Sequence, residues 1–278
     1  MTLLMGVVNV TPDSFSDGGR YLDHDAAIAH GLRLRLEGAQ ILDIGGESTR
    51  PGAERVAPEV ERERVLPVVR ALAEAGAAVS IDTMNASTAV AALEAGARIV
   101  NDVSGGLADP DLLTAVAPYG ADVVLSHWRG HSADMYARAT YSDIVCDVAT
   151  ELSARIDEAA AAGIPPARII VDPGIGFGKR GQQNWTLLRR LDRLGQLGVR
   201  VLVGTSRKRF LTETLDPEDP TTVEQQRRDL ATAVTTVLAA QAGAWAVRVH
   251  DVAASRDALA IQHAWEGESR WVTPTRSR

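Results

Sequence analysis

Polar and charged side chains recur along the chain at the ends of short apolar runs. The runs read "MGVVN", "QILDIGG", "AVSIDT", "RIVND", "DVVLSH", "RIIVDPG", "RVLVG" and "WAVRVHD", and they are rich in Val, Ile and Leu. A single Asp at such a position is commonly a helix N-cap or a turn former. A series at successive run ends instead predicts one shared site, made of Asn9, Asp43, Asp82, Asn101, His127, Asp172, Ser206, Arg207, Lys208, Arg248 and His250.

Four of these residues suit a planar heterocycle that has amide and amino edges. A carboxylate can accept two N–H bonds from such an edge, whereas an asparagine can both donate and accept. The residues are Asp82, Asn101, Asp172 and Lys208.

A second group indicates an anionic ligand. In "VRVHD", Arg248 and His250 are two positions apart on a strand, so both side chains point to the same face. Together with Arg50 of "GGESTRPG" they could hold a phosphate or a diphosphate. The carbonyl oxygen of Asn9 could bind a hydrated Mg²⁺ beside it.

The stretch "TSRKRF" adds three cations at the predicted start of a helix. Cations at a helix N-terminus oppose its macrodipole, so an anionic ligand explains them better than a solvated loop.

Three loops place an apolar residue among turn-forming ones. Phe15, Pro51 and Phe177 lie in "NVTPDSFSDGG", "GGESTRPGA" and "DPGIGFGK". Glycine-rich backbone is permissive, and it is expected where a loop closes over a ligand. We therefore expect these apolar side chains to be covered, either by a ligand or by docking on the rim of the fold.

The elements that must position these residues follow from the apolar runs. Continuous apolar runs are typical of strands buried on both faces of a parallel sheet, and helical spacing fills the segments between them. From Asn9 to His250 the run ends are about 34 residues apart, the length of one βα unit. This spacing predicts a single (β/α)8 barrel over residues 1–270, with a mobile tail at 271–278. A doubly wound open sheet is the alternative, but no G-x-G-x-x-G follows the first strand.

The composition excludes several functional classes. The net charge of −7 argues against a nucleic-acid-binding face, and no apolar run is long enough to span a membrane. The only cysteine, Cys146, excludes an internal disulfide and fits a reducing compartment, so we predict a cytoplasmic protein. Within "SDIVCDVATEL" this residue is expected to be a small buried hydrophobe.

The motifs taken together resemble the dihydropteroate synthase family, the folate-pathway enzymes that sulfonamides inhibit. The resemblance extends from Met5 to about Trp265 and includes "NVTPDSFSDGG", "DIGGESTRPGA", "SIDT", "NDVSGG", "DPGIGFGK", "GTSRKRF" and "VRVHDV" in order. It implies a (β/α)8 barrel, usually dimeric. The implied reaction joins 4-aminobenzoate to 6-hydroxymethyl-7,8-dihydropterin diphosphate, forms 7,8-dihydropteroate and releases diphosphate by an SN1-like route.

The resemblance also implies roles for individual residues. The pterin would be bound by Asp82, Asn101, Asp172 and Lys208. The diphosphate would be bound by Asn9 with Mg²⁺, Thr49, Arg50, Arg248 and His250. The aminobenzoate pocket would consist of Phe15, Pro51, Phe177, Ser206 and Arg209, and Asp17, Asp172 and Lys208 would act at the reacting centre.

Two positions depart from the pattern of the family. Ser126 stands where many members have a methionine, and Arg209 stands where many have a serine. Two alternatives remain open at this stage: a pterin-binding methyltransferase barrel, and a paralogue that binds pterin without turnover.

Overall fold

The chain folds into a closed barrel of parallel strands surrounded by helices. The computed structural model describes residues 1–11, 24–48, 55–131, 135–137 and 139–267. The strands are β1 (Leu3–Asn9), β2 (Ile41–Gly45), β3 (Ala78–Asp82), β4 (Ile99–Asp102), β5 (Asp122–Ser126), β6 (Ile169–Asp172), β7 (Arg200–Val203) and β8 (Ala246–Val249). The helices are α1 (His24–Glu37), α2 (Pro58–Glu74), α3 (Ala86–Glu94), α4 (Leu112–Val116), α5 (Ile144–Ala161), α6 (Gln182–Arg189), α7 (Leu191–Gly195), α8 (Arg209–Leu215), α9 (Gln225–Gln241) and α10 (Val252–Trp265).

Each strand pairs in parallel with its neighbours in sequence, and β1 pairs with β8 to close the barrel. Helices follow the strands, because a parallel connection must cross over the outside of the sheet. The predicted (β/α)8 barrel is thereby confirmed, and the open-sheet alternative is wrong. The domain boundary at residue 270 and the tail at 271–278 lie outside the described residues and remain predictions.

Alternate residues of each strand face the barrel interior and form layers. The lower layer is apolar and fully packed, and it consists of Met5, Ile41, Ile99, Val124, Ile170, Leu202 and Ala246. Two residues further along several of these strands, towards the carboxyl ends, stand Asp43, Asn101, Ser126, Asp172 and Arg248. One period of a β-strand therefore separates the packed core from the polar mouth.

Local sequence fixes the helix ends and the side of each helix that packs on the barrel. Asp143 and Asp251 cap α5 and α10 by accepting bonds from backbone N–H groups of the first turn. Gly38, Gly76, Gly96 and Gly163 have positive φ directly after their helices, the conformation in which helices commonly end at glycine. None of the helices in the described ranges is long and apolar enough to cross a membrane.

The expectation for Cys146 is wrong. Its side chain is exposed in the first turn of α5. Ile144, Val145, Val148 and Leu152 form the buried face of that helix, and position 146 lies on the opposite face.

Candidate active site

The mouth of the barrel holds an arginine between two carboxylates. Arg248 on β8 donates from Nε to Asp43 Oδ2 at 2.5 Å and from an Nη atom to Asp82 Oδ2 at 2.7 Å. Asn101 on β4 donates to the same Asp43 oxygen at 3.0 Å. Asp43, which is completely buried, therefore joins Arg248 to Asn101, and Arg248 in turn joins them to Asp82.

Burial and charge act against each other in this group. Burial raises the pKa of Asp82 to about 7; the Arg248 guanidinium opposes that rise and the Asp43 carboxylate adds to it. Burial alone would lower the pKa of Arg248, but Asp43 and Asp82 hold it above its ordinary range. One permanently charged guanidinium thus lies against two carboxylates at a site largely removed from water. This arrangement favours ligands that donate hydrogen bonds to Asp82.

Asp172 and Lys208 converge on the same space from β6 and from the loop after β7. Asp172 Oδ1 accepts a bond from Gly174 N at 2.6 Å, and Lys208 Nζ donates to the Ile175 carbonyl at 2.5 Å. Burial lowers the pKa of Lys208 to about 8, and Asp172 opposes that shift. Burial also raises the pKa of Asp172, against the nearby Lys208 ammonium.

Gly204 shows how closely these groups approach one another. A Cβ at this position would lie 3.7 Å from Lys208 Nζ, 3.8 Å from Asp172 Oδ2 and 3.8 Å from Arg248 Cβ. A glycine at the end of β7 therefore leaves open a space that the three predicted pterin and diphosphate contacts share.

His250 is fixed by a partner from the neighbouring loop. Its Nδ1 lies 2.9 Å from Ser206 Oγ, and its backbone N–H donates to the same oxygen at 3.1 Å. Arg248 precedes it by two residues on β8. The strand thus delivers a guanidinium and an imidazole to one end of the barrel, as predicted.

The cations of "TSRKRF" do not act as one group. Arg207, whose φ is 58°, pairs with Asp229 on α9 through two hydrogen bonds. The Arg209 side chain is 79% exposed and pairs with Glu213 on its own helix. Lys208 alone of the three enters the barrel mouth, so the grouping of all three around an anion is not observed.

The glycine-rich loop between β6 and α6, which was expected to close over a ligand, is held by side-chain hydrogen bonds. Its carbonyl groups are held one after another: Gly174 O and Phe177 O by Lys179, Ile175 O by Lys208, and Gly178 O by the Tyr141 hydroxyl. Gly176 N donates to Asn184 at 2.7 Å. These bonds hold the loop in one conformation, and Phe177 lies on it with its ring centroid 4.5 Å from Lys208 Nζ.

Several predicted site residues lie outside the described residues. They are Phe15, Asp17, Thr49, Arg50 and Pro51. Asn9 is described: it lies half-buried at the end of β1, in register with Gly45 of β2.

Sequence reasoning left two residues without a role. Asp43 belongs to the predicted set of strand-end residues but has no ligand assigned to it, because nothing in the sequence shows that it bridges Arg248 and Asn101. Lys179 was also missed. A compositional signal existed, since Lys179 and Lys208 are the only lysines among 29 basic residues.

The described part of the chain contains no cluster of three or more His, Cys, Asp or Glu placed to hold a metal ion. The His127 ring is hydrogen-bonded to two side chains, those of Glu151 and Lys179. His131 packs edge-on against Trp128.

Comparison with known proteins gives consistent matches over nearly the whole chain. The family described as "Pterin binding enzyme" matches residues 5–250. A dihydropteroate synthase of Mycobacterium leprae (strain TN) is 54% identical over 263 residues, covering 94% of this chain and 93% of the relative. The structure of Xanthomonas albilineans dihydropteroate synthase with 4-aminobenzoic acid superposes with a TM-score of 0.87 at 47% identity, covering 95% and 93% of the two chains. The Xanthomonas albilineans enzyme in complex with 7,8-dihydropteroate gives a TM-score of 0.84 at 44% identity, covering 95% and 94%.

Proposed function

Since the chain belongs to the pterin-binding enzymes and, among them, to the dihydropteroate synthase family, we propose that the barrel mouth joins 4-aminobenzoate to 6-hydroxymethyl-7,8-dihydropterin diphosphate. The products are 7,8-dihydropteroate and diphosphate. The observation that carries this assignment is the convergence of Asp172, Lys208 and Arg248 on the space beside Gly204. A carboxylate, an ammonium and a guanidinium lie close together there, above the buried apolar layer of the barrel interior.

The pterin ring is assigned to the inner part of the mouth. Asp82 and Asp172 offer carboxylate oxygens to the N–H groups of the ring, and Asn101 and Lys208 donate to its acceptors. The carboxylates are buried, so each hydrogen bond to them is made in a medium of low dielectric constant and gains strength from it.

The diphosphate is assigned to the outer part, near His250 and Arg248, with Thr49 and Arg50 from the second loop. The His250 ring is already oriented by Ser206 at 2.9 Å. A preoriented donor stabilises the leaving anion without a reorganisation cost during the reaction.

Mg²⁺ is the proposed cofactor, and the carboxamide oxygen of Asn9 is its proposed protein contact. Within the described residues this donor set suits an ion that keeps most of its waters and takes its remaining ligands from phosphate oxygens, which is the usual habit of Mg²⁺. When bound, it would neutralise charge on the diphosphate. Calorimetry of inorganic diphosphate binding, with and without Mg²⁺, tests this contact: Asn9→Ala should abolish the Mg²⁺-dependent part of the affinity, and an unchanged Mg²⁺ response would refute it.

The aminobenzoate is assigned to the rim, where Phe177 lies on its fixed loop and Ser206 bonds to His250. Phe15, Pro51 and Arg209 are proposed to complete this pocket. Arg209 pairs with Glu213 and is largely exposed, so contact with the aminobenzoate carboxylate would require its side chain to turn away from that partner.

The chemistry needs no covalent nucleophile. The bond between the pterin methylene carbon and the diphosphate oxygen breaks with both electrons leaving on the diphosphate. Asp172 stabilises the resulting pterin cation, while Arg248 and His250 stabilise the anion. The aniline nitrogen then forms the new C–N bond and loses a proton. Asp17 is proposed to act at this centre together with Lys208.

The two alternative functions predict different products. A methyltransferase barrel binds a pterin without needing a diphosphate clamp, and the Ser206–His250–Arg248 arrangement favours the synthase. We therefore propose to incubate the chain with the pterin diphosphate, 4-aminobenzoate and Mg²⁺ and to measure diphosphate release. Release above background supports the synthase, and its absence would exclude that activity.

We also propose that the chain forms a homodimer through α9 and α10. On α9, Leu230, Val234 and Leu238 follow one another at helical spacing and are each more than half exposed. On the adjacent α10, Ile261 and Trp265 are 72% and 86% exposed. A contiguous apolar face of this kind marks an interaction surface, and a second copy of the same face gives a closed twofold contact.

The predicted location in the cytoplasm remains a prediction.

A further inference from the structure

Lysine is used in only two places in this chain. Of its 29 lysines and arginines, only residues 179 and 208 are lysine. Both head groups lie inside the molecule at the carboxyl end of β6, and Asp172 interacts electrostatically with each of them. Every other basic position carries arginine, so we infer that these two positions require a property of the lysine ammonium that a guanidinium lacks.

The surroundings of Lys179 show what that requirement is. The residue is 1% exposed, and its Nζ meets three acceptors: His127 Nδ1 at 2.9 Å, Gly174 O at 3.0 Å and Phe177 O at 3.0 Å. Burial lowers the pKa of Lys179 to about 7, against the nearby Asp172 carboxylate. In its protonated form the group has three donors radiating from one atom, and all three are used. A planar guanidinium cannot direct three donors to such closely spaced acceptors.

The same lysine determines the state of His127. With Lys179 protonated, Nδ1 is the acceptor, and this assigns the ring proton to Nε2, which lies 3.0 Å from Glu151 Oε2. Burial, assisted by the charge of Lys179, lowers the pKa of His127 to about 4. The imidazole is thus neutral at physiological pH and acts as a rigid spacer between Lys179 and α5.

The contacts continue and return to the same loop. Arg129 bonds to Glu151 and lies 3.9 Å from the ring centroid of Tyr141, whose hydroxyl donates to Gly178 O at 2.9 Å. Lys179 therefore holds the β6–α6 loop from inside, and Tyr141 holds it from the other end of this chain of contacts.

The segment held in this way carries two groups of the proposed site. The Ile175 carbonyl lies between the two carbonyls bound by Lys179 and accepts from Lys208 Nζ at 2.5 Å. Phe177, whose carbonyl is one of those two, has its ring centroid 4.5 Å from the same Nζ. The fit is tight, because a Cβ on Gly174 would lie 2.2 Å from the His127 carbonyl oxygen.

We propose that Lys179 is a positioning residue of the active site: its hydrogen bonds to the Gly174 and Phe177 carbonyls, together with a third to His127, fix the Gly174–Phe177 peptide and so set the placement of Lys208 and Phe177 for catalysis. This inference rests on the proposed function for the roles of Lys208 and Phe177. Lys179 touches neither substrate and acts through the loop.

The two-lysine composition allows a direct test that needs no turnover. The chain is produced with lysine labelled with ¹³C at Cε, which gives two side-chain signals, and Lys179→Met removes one of them. Asp172, Asp82 and Arg248 also face Lys208, and they are unchanged in the variant. We expect the Lys208 signal to move, because its anchoring carbonyl is displaced, and its titration midpoint to rise toward the ordinary lysine value, because a neighbouring cation is lost.

Kinetics provide the second readout. Lys179→Met should raise the KM for aminobenzoate by about tenfold, and more than it weakens binding of the pterin diphosphate, since Phe177 depends on this loop whereas Asp82 and Asn101 do not. Lys179→Arg should behave like the methionine variant. The matched control is Tyr136→Phe, which removes a weak 3.4 Å bond to Gly176 O of the same loop and should change neither readout.

A folded Lys179→Met variant with an unmoved Lys208 signal and an unchanged KM would overturn the proposal, and so would full function of Lys179→Arg. If Lys179→Met does not fold, Glu151→Leu removes the half-exposed end of the contact chain. Its Lys208 signal should then also shift, because the loop loses part of its support, and no shift would again overturn the proposal. Failure of the proposed function would appear separately, as an inactive natural chain whose Lys208 signal still responds to Lys179→Met.

Discussion

At the scale of single residues, Arg248 combines two tasks that its sequence position suggested only in part. The prediction placed it on a diphosphate. The structure shows it bonded to Asp43 and to Asp82, which is one of the groups proposed for the pterin. Asp43 cannot reach outward, because it is fully buried, so its task is to hold Arg248 and Asn101 in fixed orientations.

This arrangement makes Asp43→Asn informative. The variant loses the charge that orients Arg248, and a buried hydrogen bond to a charged group is worth about 1.5–3 kcal/mol. We expect pterin affinity, measured by calorimetry, to fall by roughly tenfold or more, with a lower melting temperature. Asp25→Asn, on the exposed side of α1, is the control and should change neither quantity. Unchanged pterin affinity in a folded Asp43→Asn variant would show that the bridge is not needed.

At the scale of elements, the strands were predictable and the loops were not. Each strand is a continuous apolar run with a polar end, and this pattern has one simple structural explanation. The β6–α6 loop looked flexible because glycine permits many conformations, but here the glycines permit one tightly bonded conformation. Gly174 has a φ of 65° and leaves no room for a side chain beside His127.

Two alanine substitutions separate close packing from backbone strain in this loop. Gly174→Ala and Gly181→Ala both place a side chain at positive φ, at a cost of about 1–2 kcal/mol. Only at Gly174 would the Cβ meet the His127 carbonyl, since nothing lies within 4 Å at Gly181. We expect Gly174→Ala to lower both the melting temperature and kcat/KM well beyond the effect of Gly181→Ala. Equal effects would mean that the clash is relieved without consequence.

The buried His127 should make stability depend on pH. Its folded-state pKa of about 4 lies below its ordinary value of 6.5, so the unfolded chain binds a proton between these values and the folded chain does not. Its contribution is complete above pH 6.5 and is lost as the pH falls to 4, by an amount on the order of 3 kcal/mol. Urea unfolding across this range, for the natural chain and for His127→Asn, measures it. The variant should lose less stability on acidification, and a parallel loss would contradict the assignment.

At the scale of the whole molecule, the barrel could be predicted because eight βα units at constant spacing have few other ways to close. The network within its mouth could not. Which carboxylate reaches Arg248, and which carbonyl meets Lys179, depends on strand register and side-chain geometry that a linear pattern does not contain. The lysine count is a signal of a different kind: it could have identified two special positions, although not their partners.

The apolar face on α9 and α10 belongs to this scale as well. We expect Val234→Glu to shift the mass measured by analytical ultracentrifugation from dimer to monomer, because it places a charge in the centre of the proposed contact. Leu36→Glu alters a leucine on α1 that is 87% exposed and should leave the dimer intact. A natural chain that sediments as a monomer would refute this interface.

The most direct test of the central claim is the stoichiometry of the reaction. The natural chain, given the pterin diphosphate, 4-aminobenzoate and Mg²⁺, should form one 7,8-dihydropteroate for each diphosphate released, with both products quantified in the same sample. Omitting aminobenzoate should abolish dihydropteroate formation. If diphosphate is released while no dihydropteroate appears, or if neither product is formed, the assignment of this barrel mouth as a synthase site is contradicted.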